Sequence, residues 1–115
     1  MKLPNAESAF VERDKIVGYL LNLSHRYGAS KARFFGEFGF WLANWETLAQ
    51  ALREHAQCHQ VSKVKQTVFG MRYEIEGILR TPIGRTPRLR TVWQLDTGQL
   101  APRLITAQPL EETEP

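Results

Sequence analysis

A chain of 115 residues, 43% hydrophobic and 23% charged, holds one domain and one modest core, and its net charge of +3 is compatible with an anionic partner without requiring one. No apolar run approaches the roughly 20 residues that span a bilayer, and the start, Met1-Lys2-Leu3-Pro4-Asn5-Ala6-Glu7, lacks the apolar segment of an export signal. The expected setting is therefore the cytoplasm with no membrane partner, and the single cysteine, Cys58, excludes an intrachain disulfide.

One domain is expected over residues 1–115, with residues 1–9 and the acidic tail 110–115 loose. A first helix is expected over Asp14–Asn22, burying Ile16, Tyr19, Leu20 and Leu23. A second starts after Ser30, a good cap, and runs to about Phe38, where Gly39 stops it. Trp41, Trp45, Leu48, Ala49, Leu52 and Ala56 then recur on one face of a third helix, for which Asn44 is a natural N-cap. Phe34, Phe35, Phe38, Phe40, Trp41 and Trp45 read together as core aromatics.

Near residue 60 the apolar period changes from helical to two. Met71, Tyr73, Ile75, Gly77 and Leu79 alternate with Arg72, Glu74, Glu76, Ile78 and Arg80, and Leu89, Thr91, Trp93 and Leu95 alternate with Arg88, Arg90, Val92 and Gln94. The turn-rich segments Thr81–Arg85 and Asp96–Gln99 join these strands to each other and to a further strand over Arg103–Ala107, and Ser62–Phe69 supplies an earlier one. The fold class predicted is α+β, with about three N-terminal helices packed on one face of a three- to four-stranded antiparallel meander and Leu48, Leu52, Tyr73 and Trp93 in the shared core.

Charge is unevenly placed. Residues 58–109 carry eight lysines and arginines against three acids, whereas Glu111, Glu112 and Glu114 crowd the tail. That pattern fits a polyanion on the face carrying Arg72, Arg88 and Arg90, with the tail as an internal competitor; it equally fits arginines that simply solvate the outer face of a sheet.

The segment with most chemical content is Ser24-His25-Arg26-Tyr27-Gly28-Ala29-Ser30-Lys31-Ala32-Arg33. An imidazole exchanges protons near neutrality and an ammonium holds an anion, so His25 and Lys31 can act on a phosphate. Lys31 stands in the first turn of a helix, where the dipole disfavours a cation, which points to a functional or tertiary reason for it. The structural alternative for His25 is a cap or brace on the loop before that helix. His55, Cys58 and His59 form the other cluster, and His55 and His59 are spaced as paired metal ligands are. With no fourth ligand nearby and a helix dipole that favours histidine at the C-terminus, no metal and no other cofactor are expected.

The segments Leu3-Pro4-Asn5-Ala6, Tyr19-Leu20-Leu21-Asn22 and His25-x-x-Gly28-x-x-Lys31-Ala32-Arg33-Phe34-Phe35, with Gly39-Phe40, resemble an uncharacterised family of small bacterial domains over residues 3–109. The C-terminal part, Tyr73-Glu74-Ile75-Glu76-Gly77 through Arg90-Thr91-Val92-Trp93 to Leu104-Ile105-Thr106-Ala107-Gln108-Pro109, resembles in turn the barnase, EndoU, colicin and RelE group of ribonuclease toxins. The chain departs from the pattern at Leu23 and Arg26, where proline is usual, and at Gln108, where tyrosine is usual. The resemblance implies an RNA-cleaving, toxin-like domain that works without metal. Such cleavage needs a base for the 2′-hydroxyl, an acid for the leaving oxygen and cations around the phosphorus. His25 is then the acid or base, Lys31 and Arg90 neutralise charge, Thr91 and Thr106 donate from the strands, and Tyr27 or Tyr73 stacks on a base or moves a proton. The expected partner is RNA; the alternatives are a non-catalytic module of a small bacterial gene pair that holds nucleic acid or an acidic protein on the basic sheet, and an interaction subunit paired with a small antidote or neighbour protein.

Overall fold

In the computed structural model, which describes residues 1–110, three helices lie before residue 60 and an antiparallel sheet follows. The charged tail Glu111–Pro115 lies outside the described residues. Helix α1 begins as an α-turn over Arg13–Lys15 and continues with π-winding over Ile16–Leu20, where the Leu21 N–H reaches back to the Ile16 carbonyl at 2.8 Å. Helix α2 covers Ala29–Glu37, α3 covers Trp45–Cys58, and short 3-10 turns stand at Ala6–Ser8 and Leu42–Asn44. Strands β1 (Val61–Thr67), β2 (Gly70–Ile78), β3 (Arg88–Asp96) and β4 (Arg103–Pro109) pair in the order β1-β2-β3-β4, each antiparallel to the next. The α+β meander with its helices N-terminal to the sheet is thus the observed fold, and no helix of the described residues is long and apolar enough to cross a membrane.

The helices cover one face of the sheet. Ile16 and Leu20 from α1, Phe35 from α2 and Leu48, Leu52 and Ala56 from α3 close over Ile75, Leu79, Leu89, Trp93 and Leu104, all fully buried. Opposite them the outer face of the sheet carries no covering element among the described residues and presents Arg72, Glu74, Glu76 and Arg90. A bulge between Val92 and Trp93 shifts the β3/β4 register, so that Leu104 and Ala107, three residues apart, both reach the core. The residues between them, Ile105 and Thr106, are left at the edge of the sheet, only half buried.

Several local expectations change. Leu23 lies beyond the end of α1 and is 64% exposed, because the π-wound helix stops at Leu20 and the chain turns away. Helix α2 starts one residue before Ser30, behind Gly28, and ends as expected at Gly39, whose φ of 89° only glycine adopts freely. Asn44 does cap, but backwards: its Oδ1 accepts the Trp41 N–H at 2.7 Å and closes the 3-10 turn rather than α3. Trp41 therefore falls outside the third helix and is 59% exposed, with its indole lying over Gly36, where a Cβ would come within 2.7 Å of the ring. The N-terminal residues, expected loose, are tied down. Leu3 and Ala9 are buried, the Met1 carbonyl accepts the Val61 N–H, and Phe10 bridges to β4 at Arg103.

Candidate functional site

The motif residues His25, Gly28 and Lys31 do three different jobs around a fourth residue, Tyr19. His25 Nδ1 accepts the backbone N–H groups of Tyr27 at 3.0 Å and Gly28 at 2.9 Å, which closes the turn leading into α2. A nitrogen that accepts two such bonds carries no proton, so the ring's proton sits on Nε2. The ring stands edge-on to Tyr19 with centroids 5.0 Å apart. Gly28 packs directly on Tyr19, and a Cβ there would run into the Tyr19 carbonyl oxygen. Lys31, in the first turn of α2, sends its ammonium to the Thr106 hydroxyl on β4 at 2.8 Å.

Tyr19 joins these parts. Its hydroxyl lies 3.3 Å from Thr106 Oγ1, and the ammonium nitrogens of Lys31 and Lys15 sit 5.1 and 5.7 Å from its ring centroid. Partial burial by itself would raise the phenol, but the hydrogen-bonding Lys31 and Thr106 side chains and the charges of Lys31 and Lys15 outweigh it and hold Tyr19 below its ordinary value of 10.0. The ring opens on a pocket of about 230 Å³ whose other walls are Glu12, Asp14, Lys15 and Arg103. Arg103 is anchored there by Asp96, which accepts from Nε at 2.7 Å and from Nη2 at 3.3 Å. That pair holds the Asp96 carboxyl below, and the Arg103 guanidinium above, their ordinary values.

The structure brings together His25, Lys31 and Thr106, with Tyr27 beside His25, and leaves the other candidates elsewhere. Arg90 lies on the outer face of the sheet, within 3.5 Å of Glu74 and 3.2 Å of Glu76. Thr91 is fully buried on the opposite face, where its hydroxyl accepts the Trp93 indole N–H at 2.9 Å and contacts His55 Nδ1 at 3.0 Å. Tyr73 is 6% exposed and pairs with Trp93 across β2 and β3, because its odd-numbered place in the alternation points it under the helices. Arg72 donates to Gln94, and Arg88 stands exposed at the start of β3. Tyr27 is 67% exposed beside His25, with the Arg26 guanidinium 5.2 Å from its ring centroid. The residue that sequence reasoning missed as a site residue is Tyr19, placed by its spacing among the core side chains of α1. Its one signal was a polar tip on an otherwise aliphatic stripe.

Of the His55, Cys58 and His59 cluster, the two histidines are taken up by the fold and Cys58 is exposed. His55 Nε2 bonds the carbonyls of Gly77 at 3.1 Å and Leu89 at 3.0 Å, and His59 Nε2 donates to the Ile78 carbonyl at 2.9 Å. Burial pushes His55 from 6.5 down to about 4, so the ring is neutral and the Thr91 hydroxyl donates to its Nδ1. Among the described residues no group of three or more histidine, cysteine or acidic side chains is arranged to hold a metal. A larger apolar groove, about 810 Å³ and lined by Leu21, Leu23, Phe40, Trp41 and Leu42, runs along the face of α2 that carries Ala32, Arg33 and Gly36.

The sequence matches, over residues 2–111, the family described as a domain of unknown function, DUF6883. The chain belongs to that family. No curated protein matches this DUF6883 domain. Among solved structures it is similar to a chain of a contact-dependent growth inhibition toxin–immunity protein complex from Klebsiella pneumoniae 342, with a TM-score of 0.71 over 89% of this chain and 100% of that one. At 14% identity the likeness is one of fold.

Proposed function

We propose that this DUF6883 domain is a toxin-type, metal-independent ribonuclease whose site is the cluster of Tyr19, Lys31 and Thr106 braced by His25. The observation that carries the reading is the Thr106 hydroxyl, held 2.8 Å from the Lys31 ammonium and 3.3 Å from the Tyr19 phenol, with Tyr19 also lining an open pocket. A donor, a cation and a titratable oxygen converge there from three elements. These are the groups needed to hold a phosphodiester and steady the charge that builds as phosphorus gains a fifth ligand. Lys31 and Lys15 supply the positive charge that a metal supplies in other phosphodiesterases. The resemblance of the C-terminal strands to ribonuclease toxins supports the same class, and the fold shared with a chain of a toxin–immunity protein complex supports a role in such a system. Arg90 and Thr91 lie outside this reading, and the exposed Tyr27 is a stacking platform for a base flanking the cleaved bond.

Cleavage of total RNA and of tRNA in the presence of chelator tests it. Wild-type protein is expected to cut, Lys31→Ala to slow cutting by about 100-fold, and Thr106→Val by about 10-fold, in line with the loss of charged and neutral transition-state donors. Lys31→Arg is expected to fall between wild type and Lys31→Ala, since it keeps the charge and changes the geometry. Absence of cleavage by the wild type between pH 5 and 9 rejects the reading.

A second reading, a binding module without catalysis, is favoured by the uncovered outer face of the sheet with Lys63, Lys65, Arg72 and Arg88 on or beside it. It predicts RNA binding that weakens steeply with salt and that persists in Lys31→Ala. A small neighbour protein in place of RNA is expected to bind without that salt slope.

A further inference from the structure

Two side chains of the cluster are able to move a proton to and from a substrate, His25 and Tyr19, and they are held in opposite ways. The His25 Nδ1 lone pair is committed to two backbone N–H groups, and the residues that follow, Gly28 and Lys31, depend on the turn those bonds close. The Tyr19 hydroxyl bonds side chains, Thr106 and the Lys31 ammonium, and Tyr19 lines the open pocket. We propose that Tyr19 takes the proton from the attacking hydroxyl of the RNA, and that His25 is a positioning residue that fixes the turn carrying Lys31 and braces the Tyr19 ring. The proposal rests on the ribonuclease reading above.

The groups facing the ring favour its anion. Lys15 from α1 and Lys31 from α2 both approach it, Thr106 from β4 can donate to its oxygen, and Arg103 from β4 lines the same pocket with its charge shared with Asp96. His25 presents a ring edge, and the opposing charges are Glu12 and Asp14 at the pocket wall. The balance of these contacts, after the cost of burial, lowers the phenol from its ordinary value. A base of this kind works because its proton affinity is brought toward that of the working pH while its geometry stays fixed. Gly28, packed against the Tyr19 backbone, and the edge-on His25 supply that fixity.

In the step itself the Tyr19 phenolate oxygen takes the 2′-hydroxyl proton and the 2′-oxygen bonds to the adjacent phosphorus. The bond from phosphorus to the 5′-oxygen breaks, and a 2′,3′-cyclic phosphate remains. The leaving 5′-oxygen takes a proton from water, and the hydroxide so formed is neutralised by the proton that Tyr19 releases. Lys31 holds a non-bridging phosphate oxygen throughout, and the Thr106 O–H, directed at the Tyr19 oxygen while that is a phenolate, turns to the phosphate once Tyr19 has taken the proton.

The test compares wild type, Tyr19→Phe, His25→Ala and His25→Asn on a single-stranded oligoribonucleotide in chelator from pH 5 to 10, reading cyclic-phosphate product, with melting temperature and phenolate absorbance followed on the same samples. Tyr19→Phe is expected to melt like the wild type and to lose about 100-fold or more in rate, the scale of a lost general base. The rise in wild-type rate with pH is expected to follow a phenolate absorbance change that Tyr19→Phe lacks. His25→Ala is expected to slow cleavage, and His25→Asn to recover most of that loss, because an asparagine oxygen can accept the same two N–H bonds. Wild-type cleavage with Tyr19→Phe within about threefold, or His25→Asn as inert as Tyr19→Phe, overturns the proposal and leaves the ribonuclease reading standing. A wild type that does not cleave at all ends both. Identical absorbance titrations of wild type and Tyr19→Phe overturn the role of Tyr19 whatever the rates.

Discussion

Around His55, an imidazole, a threonine hydroxyl and an aromatic N–H are sealed under the helices, and each finds a partner inside the protein. Around Tyr19, an imidazole, a threonine hydroxyl from the edge strand and a phenol meet with two ammonium groups, and Tyr19 lines a pocket. The parts are nearly the same. In the first case burial and complete pairing turn them into a polar pin that sets α3 on β2 and β3, and no side-chain polar atom is left over for a ligand. In the second, the threonine comes from an edge strand and the cations have no carboxylate partner among the described residues, so the group retains capacity to hold an anion. Exposure and unspent charge, more than residue type, separate a structural network from a candidate site.

The largest effect should come from breaking the sealed network. Trp93→Ala removes a fully buried indole and leaves Thr91 without its donor, and a loss of about 3–5 kcal/mol is expected in urea unfolding. A variant as stable as wild type would show that the core is not where the network sits. Next comes pH. Because His55 binds a proton at about 4 when folded and near 6.5 when unfolded, the unfolded chain gains a proton first as the solution is acidified. Stability should therefore fall as pH drops from about 6.5 to about 4, by about 3 kcal/mol in total, and the slope should be absent in His55→Gln. A flat stability profile over that window would place a charged, solvated imidazole at residue 55.

Smaller effects are expected at the open cluster. Gly28→Ala drives a methyl group toward the Tyr19 backbone and should cost about 1–3 kcal/mol, while also reducing RNA cleavage because the turn, Tyr19 and Lys31 shift together. Stability lost without any change in cleavage would uncouple the turn from the site. Lys31→Met should move the melting temperature least, by the equivalent of less than about 1 kcal/mol, since its bond to Thr106 is partly exposed. Its effect on cleavage, by contrast, should be among the largest. A Lys31→Met protein that unfolds as readily as Trp93→Ala would move this cluster into the structural class and erase the comparison.

The switch of apolar period near residue 60 was enough to read three helices followed by an antiparallel meander, since both periods follow from backbone geometry within a few residues. For the His25, Gly28 and Lys31 segment, the alternative of His25 as a cap on the loop before α2 was legible too, and the two backbone N–H groups on its Nδ1 bear that alternative out. What the chain did not show in one dimension was the partner of each group. Thr91 and Thr106 look alike on strands of similar pattern, yet one lies beneath the helices and the other at the edge, because a bulge between Val92 and Trp93 resets which β4 residues face inward. Tyr19 reads as core by its spacing, and only the contact with a strand 87 residues away gives its hydroxyl a role. Short-range periodicity decides the elements, whereas exposure, charge pairing and through-space hydrogen bonds exist only once those elements are packed.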